Sequence, residues 1–307
     1  MDESYDVIII GGGPAGLTAG LYCARARLRT LLLEKAFAGG QIVNAERVDN
    51  YPGFPDGITG FDLVMLMQKQ ATKYGLEMAF VEVISIENKD KYQKVVSTTD
   101  GNYESKALII TGGAEHNHLG VVGEEEFVGR GVSYCATCDG AFYKDQAVAV
   151  VGGGDSAVVE AVSLTRFASK VYVIHRRDQL RASKIVQEQA FANEKIEFVW
   201  DTVIESIIGD SKVEKLKVEN VKTQAQSFLE VAAIFVSIGL HPYTEYLKDI
   251  ILLDSEGYII TNEKLETDTP GIFAAGDIRT SSARQVVVAA GDGATAAIYA
   301  ERYIAGA

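Results

Sequence analysis

The sequence predicts an α/β protein assembled from two units of one plan. A β-branched run, Tyr5 to Ile10, meets the glycine turn Gly11-Gly12-Gly13-Pro14-Ala15-Gly16 and then a helix-like stretch to about Arg27. A second run, Ala147 to Val151, meets Gly152-Gly153-Gly154-Asp155-Ser156-Ala157 and a helix-like stretch to about Phe167, its first glycine 141 residues beyond Gly11. Each half then closes with an apolar strand running into glycine, Ala107 to Gly113 and Ala233 to Gly239. The length of 307 residues points the same way, to two domains at roughly 150 residues each.

In the first half the helix leads to a strand, Thr30-Leu31-Leu32-Leu33, that ends at Glu34. Charged, alternating residues from Phe80 to Ser105 then suit a small antiparallel meander before the closing strand. In the second half the corresponding strand is Val171-Tyr172-Val173-Ile174, ending at His175-Arg176-Arg177, and Phe198 to Glu230 supplies the meander. The charge runs in both read as solvated hairpin faces. A tail from about Lys248 carries one more buried-strand run, Gly271 to Asp277, and a helix-like segment from about Arg284 to Tyr303. It is too short for a domain and must complete an earlier one.

With 47% hydrophobic and 23% charged residues the chain reads as a soluble globular protein, neither disordered nor a membrane bundle. Its net charge of -13 argues against a nucleic-acid binder that works by phosphate neutralisation. Thirty glycines against five prolines, many in tight clusters, suggest backbone brought close to a ligand. Three cysteines, Cys23, Cys135 and Cys138, cannot build a disulfide framework, so a reducing, cytoplasmic setting is expected. Val7 to Ala24 could pass for a signal-peptide core, but the acidic start Met1-Asp2-Glu3-Ser4 and the internal GGGPAG argue against export.

In a GxGxxG turn the first glycine permits the tight turn, the second admits a pyrophosphate to the backbone and the third lets helix pack on strand. The helix N-terminus then faces the phosphates. Gly11, Gly13 and Gly16 fill these places, and Glu34, 23 residues after Gly11, stands near the offset at which a carboxylate takes a ribose hydroxyl. The second copy offers Arg176, Arg177 and Arg181 where the first has an acid, a choice that suits a 2'-phosphate and hence NADP. Cys135-Ala136-Thr137-Cys138 has no second CxxC to complete a zinc ribbon, and His116 and His118 read as loop residues; no metal is expected. An inert buried pair remains open beside a redox dithiol, for which a two-residue spacer is suited. Asp139 follows and could shuttle a proton to or from a thiolate, whereas Cys23 on the first helix reads as a small core residue.

Two dinucleotide units with a CxxC between their glycine turns resemble the low-molecular-weight thioredoxin reductases of the pyridine nucleotide-disulfide oxidoreductase superfamily, and the likeness covers essentially the whole chain. It is carried by Gly11 to Gly16, Gly39-Gly40-Gln41, Asn50-Tyr51-Pro52-Gly53, Gly129 to Gly140 (GRGVSYCATCDG), Gly152 to Ala157, His175 to Arg181 (HRRDQLR), Gly276-Asp277 and Arg284-Gln285. The resemblance implies two Rossmann-like dinucleotide-binding domains of three-layer ββα form, the second inserted into the first. Residues 1–114 and 247–307 would bind FAD, and residues 115–246 would bind NADPH and carry the CxxC. Pro14, Ala15, Lys35, Gly40, Gln41, Asn50, Gly112 and Gly276 would line the flavin dinucleotide, Asp277 would bond its ribityl chain, and Arg284 and Gln285 would open the helix facing the ring. Gly152, Gly154, Asp155, Ser156, Ala157 and His175 would hold NADPH with the arginines.

By the same likeness, Cys138 would be the flavin-side sulfur, Cys135 the sulfur that attacks the partner and Asp139 the acid-base residue. Electrons would pass from NADPH through FAD and the Cys135–Cys138 disulfide to thioredoxin or a thioredoxin-like protein, in a homodimer whose NADPH domain rotates between two states. Two departures stand out. Val159-Glu160 occupies a place where two consecutive acids are common, and TGGAEHNHLGVVGE from Thr111 to Glu124 departs from the usual hinge. The rival readings are a flavin-dependent dithiol oxidase, whose relatives lack a good nicotinamide site, and a redox sensor that binds both dinucleotides without turnover.

Overall fold

The computed structural model describes residues 3–45 and 47–306, so Met1 and Asp2 of the acidic start lie outside the described residues. Contacts group residues 1–115 with 241–307, and residues 116–240 with one another; residues 241–246 thus fall in the first unit.

The first unit opens with β1 (Glu3–Ile10), α1 (Pro14–Arg25) and β2 (Thr30–Glu34). α2 (Gly60–Lys73) follows, its N-terminus capped by the Thr59 hydroxyl, which accepts from the Asp62 N–H. Then come β3 (Glu77–Phe80), β4 (Val83–Asp90), β5 (Gln93–Thr98) and β6 (Gly101–Ile110). The sheet order is β3-β2-β1-β6-β5-β4. Ile10 of β1 lies level with Leu33 of β2 and with Ile110 of β6, so the three parallel strands end together at Gly11, Glu34 and Thr111. Side chains alternate across this sheet: Val7 and Ile9 pack with α1, Ile8 and Ile10 with the opposite face.

One difference from the sequence pattern concerns β6. The last meander strand and the closing strand are a single strand: residues 101–105 pair antiparallel with β5, while residues 103–110 pair parallel with β1. The switch from an alternating to a fully buried pattern within Gly101–Ile110 marks where one side of the strand leaves the meander and enters the core.

The second unit is reached through β7 (Ala114–His116) and contains β8 (Val132–Ser133), the short helix α3 (Ala136–Asp139), β9 (Ala147–Val151), α4 (Asp155–Leu164), β10 (Lys170–Ile174), α5 (Lys184–Phe191) and β11 (Ile196–Val199). The meander is β12 (Thr202–Gly209), β13 (Val213–Asn220) and β14 (Gln226–Glu230), after which β15 (Ala233–Val236) returns to the core. β11-β10-β9-β15-β8 form a parallel sheet and β12-β13-β14 a separate one. Val148 and Val150 of β9 pack on Ala157, Ala161 and Leu164 of α4, while Ala149 faces Ile204 and Leu216 of the meander. The layers are therefore sheet, sheet and helix. Val151, Ile174 and Val236 end level, at Gly152, His175 and Ser237.

β16 (Leu240–Pro242) leads into the tail, which supplies β17 (Ile272–Ala274) and α6 (Val286–Ala305). β17 lies parallel to β6 at residues 108–110, and α6 packs on α1, where a Cβ on Gly293 would overlap the Ala15 carbonyl oxygen. The tail completes the first unit, and no helix among the described residues is long and apolar enough to cross a membrane.

Candidate active site

The first glycine turn sits where β1, β2 and β6 end. Gly11 has φ +109°, and a Cβ there would come within 2.6 Å of the Thr111 carbonyl oxygen; a Cβ on Gly16 would overlap the carbonyl oxygen of Gly11. At Gly13 a Cβ would meet no atom within 4 Å, so the middle glycine alone faces open space. Pro14 occupies the first turn of α1, where its missing N–H costs nothing. The Gly12 N–H donates to Glu34 Oε2 at 2.8 Å and the Ala36 N–H to Oε1 at 3.2 Å, which fixes the carboxylate beside the turn with lone pairs left for a ligand hydroxyl. The Gly39 N–H donates to the Gly12 carbonyl at 2.8 Å and seats Gly40 against Gly13, with Gln41 next in the same short 3-10 turn.

The other residues expected at this site converge from the tail. Gly276, at φ +81°, packs on Ala15, and Asn50 Nδ2 donates to Gln285 Oε1 at 3.1 Å. Ser282 Oγ donates to Asp277 Oδ1 at 2.8 Å; burial pushes the Asp277 carboxyl above its ordinary range, opposed by that hydrogen bond and by Arg284. Arg284 reaches the Tyr258 hydroxyl at 3.2 Å. Lys35 lies 4.8 Å above the ring of Tyr243, whose backbone neighbours Gly112. Sequence reasoning missed Asp292 of α6, which binds Arg279 through both oxygens at 2.7 and 2.9 Å and accepts the Gly276 N–H at 3.1 Å. One carboxylate thus holds the loop on either side of Asp277, from 16 residues away in sequence, where no spacing rule looks.

In the second unit Gly152 has φ +151°, and Gly154, like Gly13, opens onto space. Ala157 takes the third-glycine place and is fully buried. Gly153 is bound by a different constraint, since a Cβ there would strike the ring of His175, and Ser156 follows Asp155 in the first turn of α4. The loop after β10 folds back on this turn. Arg181 N–H donates to the Gly153 carbonyl at 2.7 Å, and Ser183 N–H to Asp155 Oδ1 at 2.9 Å.

His175 is buried with Nε2 unpartnered, and its pKa is held below the ordinary value by burial and by the positive charges of Arg177, Arg181 and Arg176. Those three guanidiniums are exposed. The neighbouring carboxylates of Asp178 and Asp201 are taken by Lys222, at 2.9 and 3.0 Å, rather than by the arginines. Val159 is exposed on α4.

Cys135 and Cys138 form a disulfide with their Cα atoms 5.3 Å apart, and the Cys138 N–H donates to Cys135 Sγ at 3.2 Å. Asp139, on the same turn, accepts from the Ser133 hydroxyl at 2.6 Å; burial raises its pKa and that bond opposes the rise. Cys23 is the contrast: it is buried in the α1 core, with its thiol pushed up to about 12 by burial. His116 and His118 pack on Tyr134, and Tyr134 is bonded to His118 Nδ1 and to the buried Glu124, each at 2.9 Å. His116 ends β7, so it is a strand residue rather than the loop residue the sequence suggests.

These donor sets fit the two dinucleotides that the resemblance implies. Each turn leaves one glycine open to a pyrophosphate at a helix N-terminus. The first turn carries carboxylates suited to hydroxyls, and the second three guanidiniums suited to a phosphate.

The family model for pyridine nucleotide-disulphide oxidoreductases matches residues 5–293. The chain is 48% identical over 304 residues to a thioredoxin reductase of Listeria innocua, covering 99% of this chain and 95% of that protein. It is 47% identical over 304 residues to a thioredoxin reductase of Bacillus subtilis, covering 99% and 96%. The crystal structure of thioredoxin reductase from Streptococcus pyogenes superimposes with a TM-score of 0.95 at 47% identity, covering 100% of both chains.

The open space at Gly13 and the overlap at Gly16 predict opposite failures. Gly13→Val should fold with unchanged circular dichroism but bind FAD at least about tenfold more weakly, because the side chain takes the place of the pyrophosphate. Gly16→Val should instead lose soluble, folded protein. Flavin-to-protein absorbance ratios and a fluorescence titration of the apoprotein with FAD measure the first effect.

Proposed function

The chain belongs to the pyridine nucleotide-disulphide oxidoreductase family, and within it we propose that the protein is a thioredoxin-disulfide reductase that uses FAD and NADPH. The observation that carries this reading is the Cys135–Cys138 disulfide standing in the same unit as a nucleotide turn ringed by Arg176, Arg177 and Arg181. FAD would be held by the Gly11–Gly16 turn, Glu34, Gly40, Asn50, Asp277 and Gln285, and NADPH by the Gly152–Ala157 turn, His175 and the three arginines. When bound, the flavin supplies the chemistry that turns a hydride from NADPH into an electron pair for the disulfide.

The chain's own residues do the rest. Reduction of the Cys135–Cys138 bond consumes two electrons and two protons, one through Asp139 and one from solvent, and yields two thiols. Asp139, whose carboxyl is raised by burial, gives one of these protons to the sulfur of Cys138. Cys135 then attacks the disulfide of thioredoxin as its thiolate, a form favoured by the N–H that Cys138 aims at its sulfur. A mixed disulfide forms, Cys138 attacks Cys135, the thioredoxin dithiol leaves and the Cys135–Cys138 bond is restored. Both cysteines need a reducing compartment around them, and we place the protein in the cytoplasm. We take the active form to be a homodimer, in keeping with the apolar side chains of Phe61, Met65 and Leu66 exposed along α2. No nucleic-acid partner is proposed, in line with the net charge of -13.

The reading is tested on the purified holoprotein without oxygen. NADPH should bleach the flavin absorbance, oxidised thioredoxin should restore it, and a small disulfide should not. Reoxidation by oxygen but not by thioredoxin would make the protein a dithiol oxidase, and absence of bleaching would make it a sensor. Replacing Arg176 and Arg177 by Gln removes charge-assisted hydrogen bonds to a 2'-phosphate, so kcat/KM for NADPH should fall at least about tenfold per guanidinium while that for NADH changes little. Equal losses would remove the 2'-phosphate assignment.

Asp139→Asn keeps size and hydrogen bonding but cannot exchange a proton. It should leave NADPH-to-flavin transfer nearly intact and slow flavin-to-disulfide transfer by at least about tenfold, as resolved by rapid-mixing absorbance. Equal slowing of both steps, or purification without FAD, would make Asp139 a structural residue.

A further inference from the structure

The Ser133 hydroxyl is surrounded by three groups that compete for it. It donates to Asp139 Oδ2 at 2.6 Å, accepts the Cys135 N–H at 3.0 Å and stands 3.4 Å from the Cys135 carbonyl oxygen. Ser133 is only 4% exposed, so water does not replace these partners. A hydroxyl has one proton and two lone pairs. With Asp139 ionised, the proton goes to the carboxylate and one lone pair takes the Cys135 N–H. With Asp139 protonated, the carboxyl itself becomes a donor, the second lone pair of Ser133 accepts from it, and the hydroxyl proton turns to the Cys135 carbonyl. Both arrangements leave Ser133 and the Asp139 oxygen that faces it satisfied, which an alanine could not do for either charge state.

We propose that Ser133 is the positioning residue of the acid–base step: a two-state hydroxyl on β8 that holds the Asp139 carboxyl in place and sets how readily it takes up and releases its proton. The proposal deepens the reading of Asp139 as the acid and rests on it. Few other titratable groups stand on the elements packed around Asp139. α3 carries no other charged residue, the 3-10 turn Gly140–Tyr143 packed against it has the phenol of Tyr143, and α4 brings Asp155 and Glu160. β8 and its neighbour β15 carry none. Burial raises the pKa of the carboxyl and the Ser133 bond lowers it. The Ser133 hydroxyl, 2.6 Å from Asp139 Oδ2, is therefore in place to adjust this acid.

The sign follows from the direction of the bond. Ser133 donates to the ionised form and so favours it; removing the hydroxyl leaves burial unopposed and moves the titration of Asp139 to higher pH. The experiment uses the oxidised holoenzyme. Its protonated-carboxyl infrared band is followed against pH and assigned to Asp139 by its loss in Asp139→Asn. In Ser133→Ala the midpoint should rise by about one pH unit, as should the pH at which flavin-to-disulfide transfer slows, with the circular dichroism unchanged. Ser133→Cys, whose thiol donates far more weakly, should shift the midpoint in the same direction and serves the same comparison if the alanine variant does not fold. A midpoint that stays within a few tenths of wild type in the folded variant overturns the proposal. A shifted midpoint together with an Asp139→Asn enzyme that transfers electrons at the wild-type rate would retain the Ser133 bond and overturn the acid reading instead.

Discussion

The closeness of helix to strand at each glycine turn is the constraint on which the rest depends. At Gly16 the backbone of α1 lies so near the Gly11 carbonyl that one methyl group would not fit, and α6 meets α1 just as closely at Gly293. α1 is thereby wedged between β1 and α6, with its N-terminus held over the strand ends. The same wedge recurs in the second unit, where a Cβ on Gly152 would lie 2.6 Å from that of Ala157. Each turn spends two of its small residues on this packing and leaves the third, Gly13 or Gly154, open. A slot for a phosphate is thus what remains when a helix is forced this close to a strand.

Much of this was legible in the sequence because it is local. Val7 to Ile10 and Val148 to Val150 are buried on both faces and so read as apolar runs, and the glycines follow at fixed spacing. The sequence also separates the two turns chemically, through Glu34 in one and Arg176-Arg177 in the other. It does not show that Asp178 and Asp201 are taken by Lys222 rather than by the arginines, because that depends on the meander folding back over the strand ends.

The residues that escaped sequence reasoning act across distance or through a turn without a motif. Asp292 reaches Gly276 and Arg279 only because α6 runs back along α1, and Ser133 reaches Asp139 only because β8 turns directly into α3. Neither contact has a period that could announce it. The fusion of the last meander strand with the closing strand in β6 escaped for a related reason, since a strand that changes partners midway also changes its burial pattern. His116 illustrates the limit from the other side: a polar residue among glycines reads as loop, yet it ends β7 and packs against the ring of Tyr134.

Two aspartates share one local device in different electrostatic surroundings. Asp277 and Asp139 are each raised by burial and each accept a serine hydroxyl, from Ser282 at 2.8 Å and Ser133 at 2.6 Å. Around Asp277 the charges of Arg284 and Arg279 offset part of the burial and favour the ionised form, with Asp292 acting against them. A carboxylate supported in this way is suited to accept hydrogen bonds from ligand hydroxyls without changing its charge. Asp139 has no such support. There one neutral hydroxyl opposes burial, and the carboxyl stands beside the Cys135–Cys138 disulfide, whose reduction requires protons. The two environments suit the roles proposed for these groups, Asp277 to hold a ligand hydroxyl and Asp139 to exchange a proton.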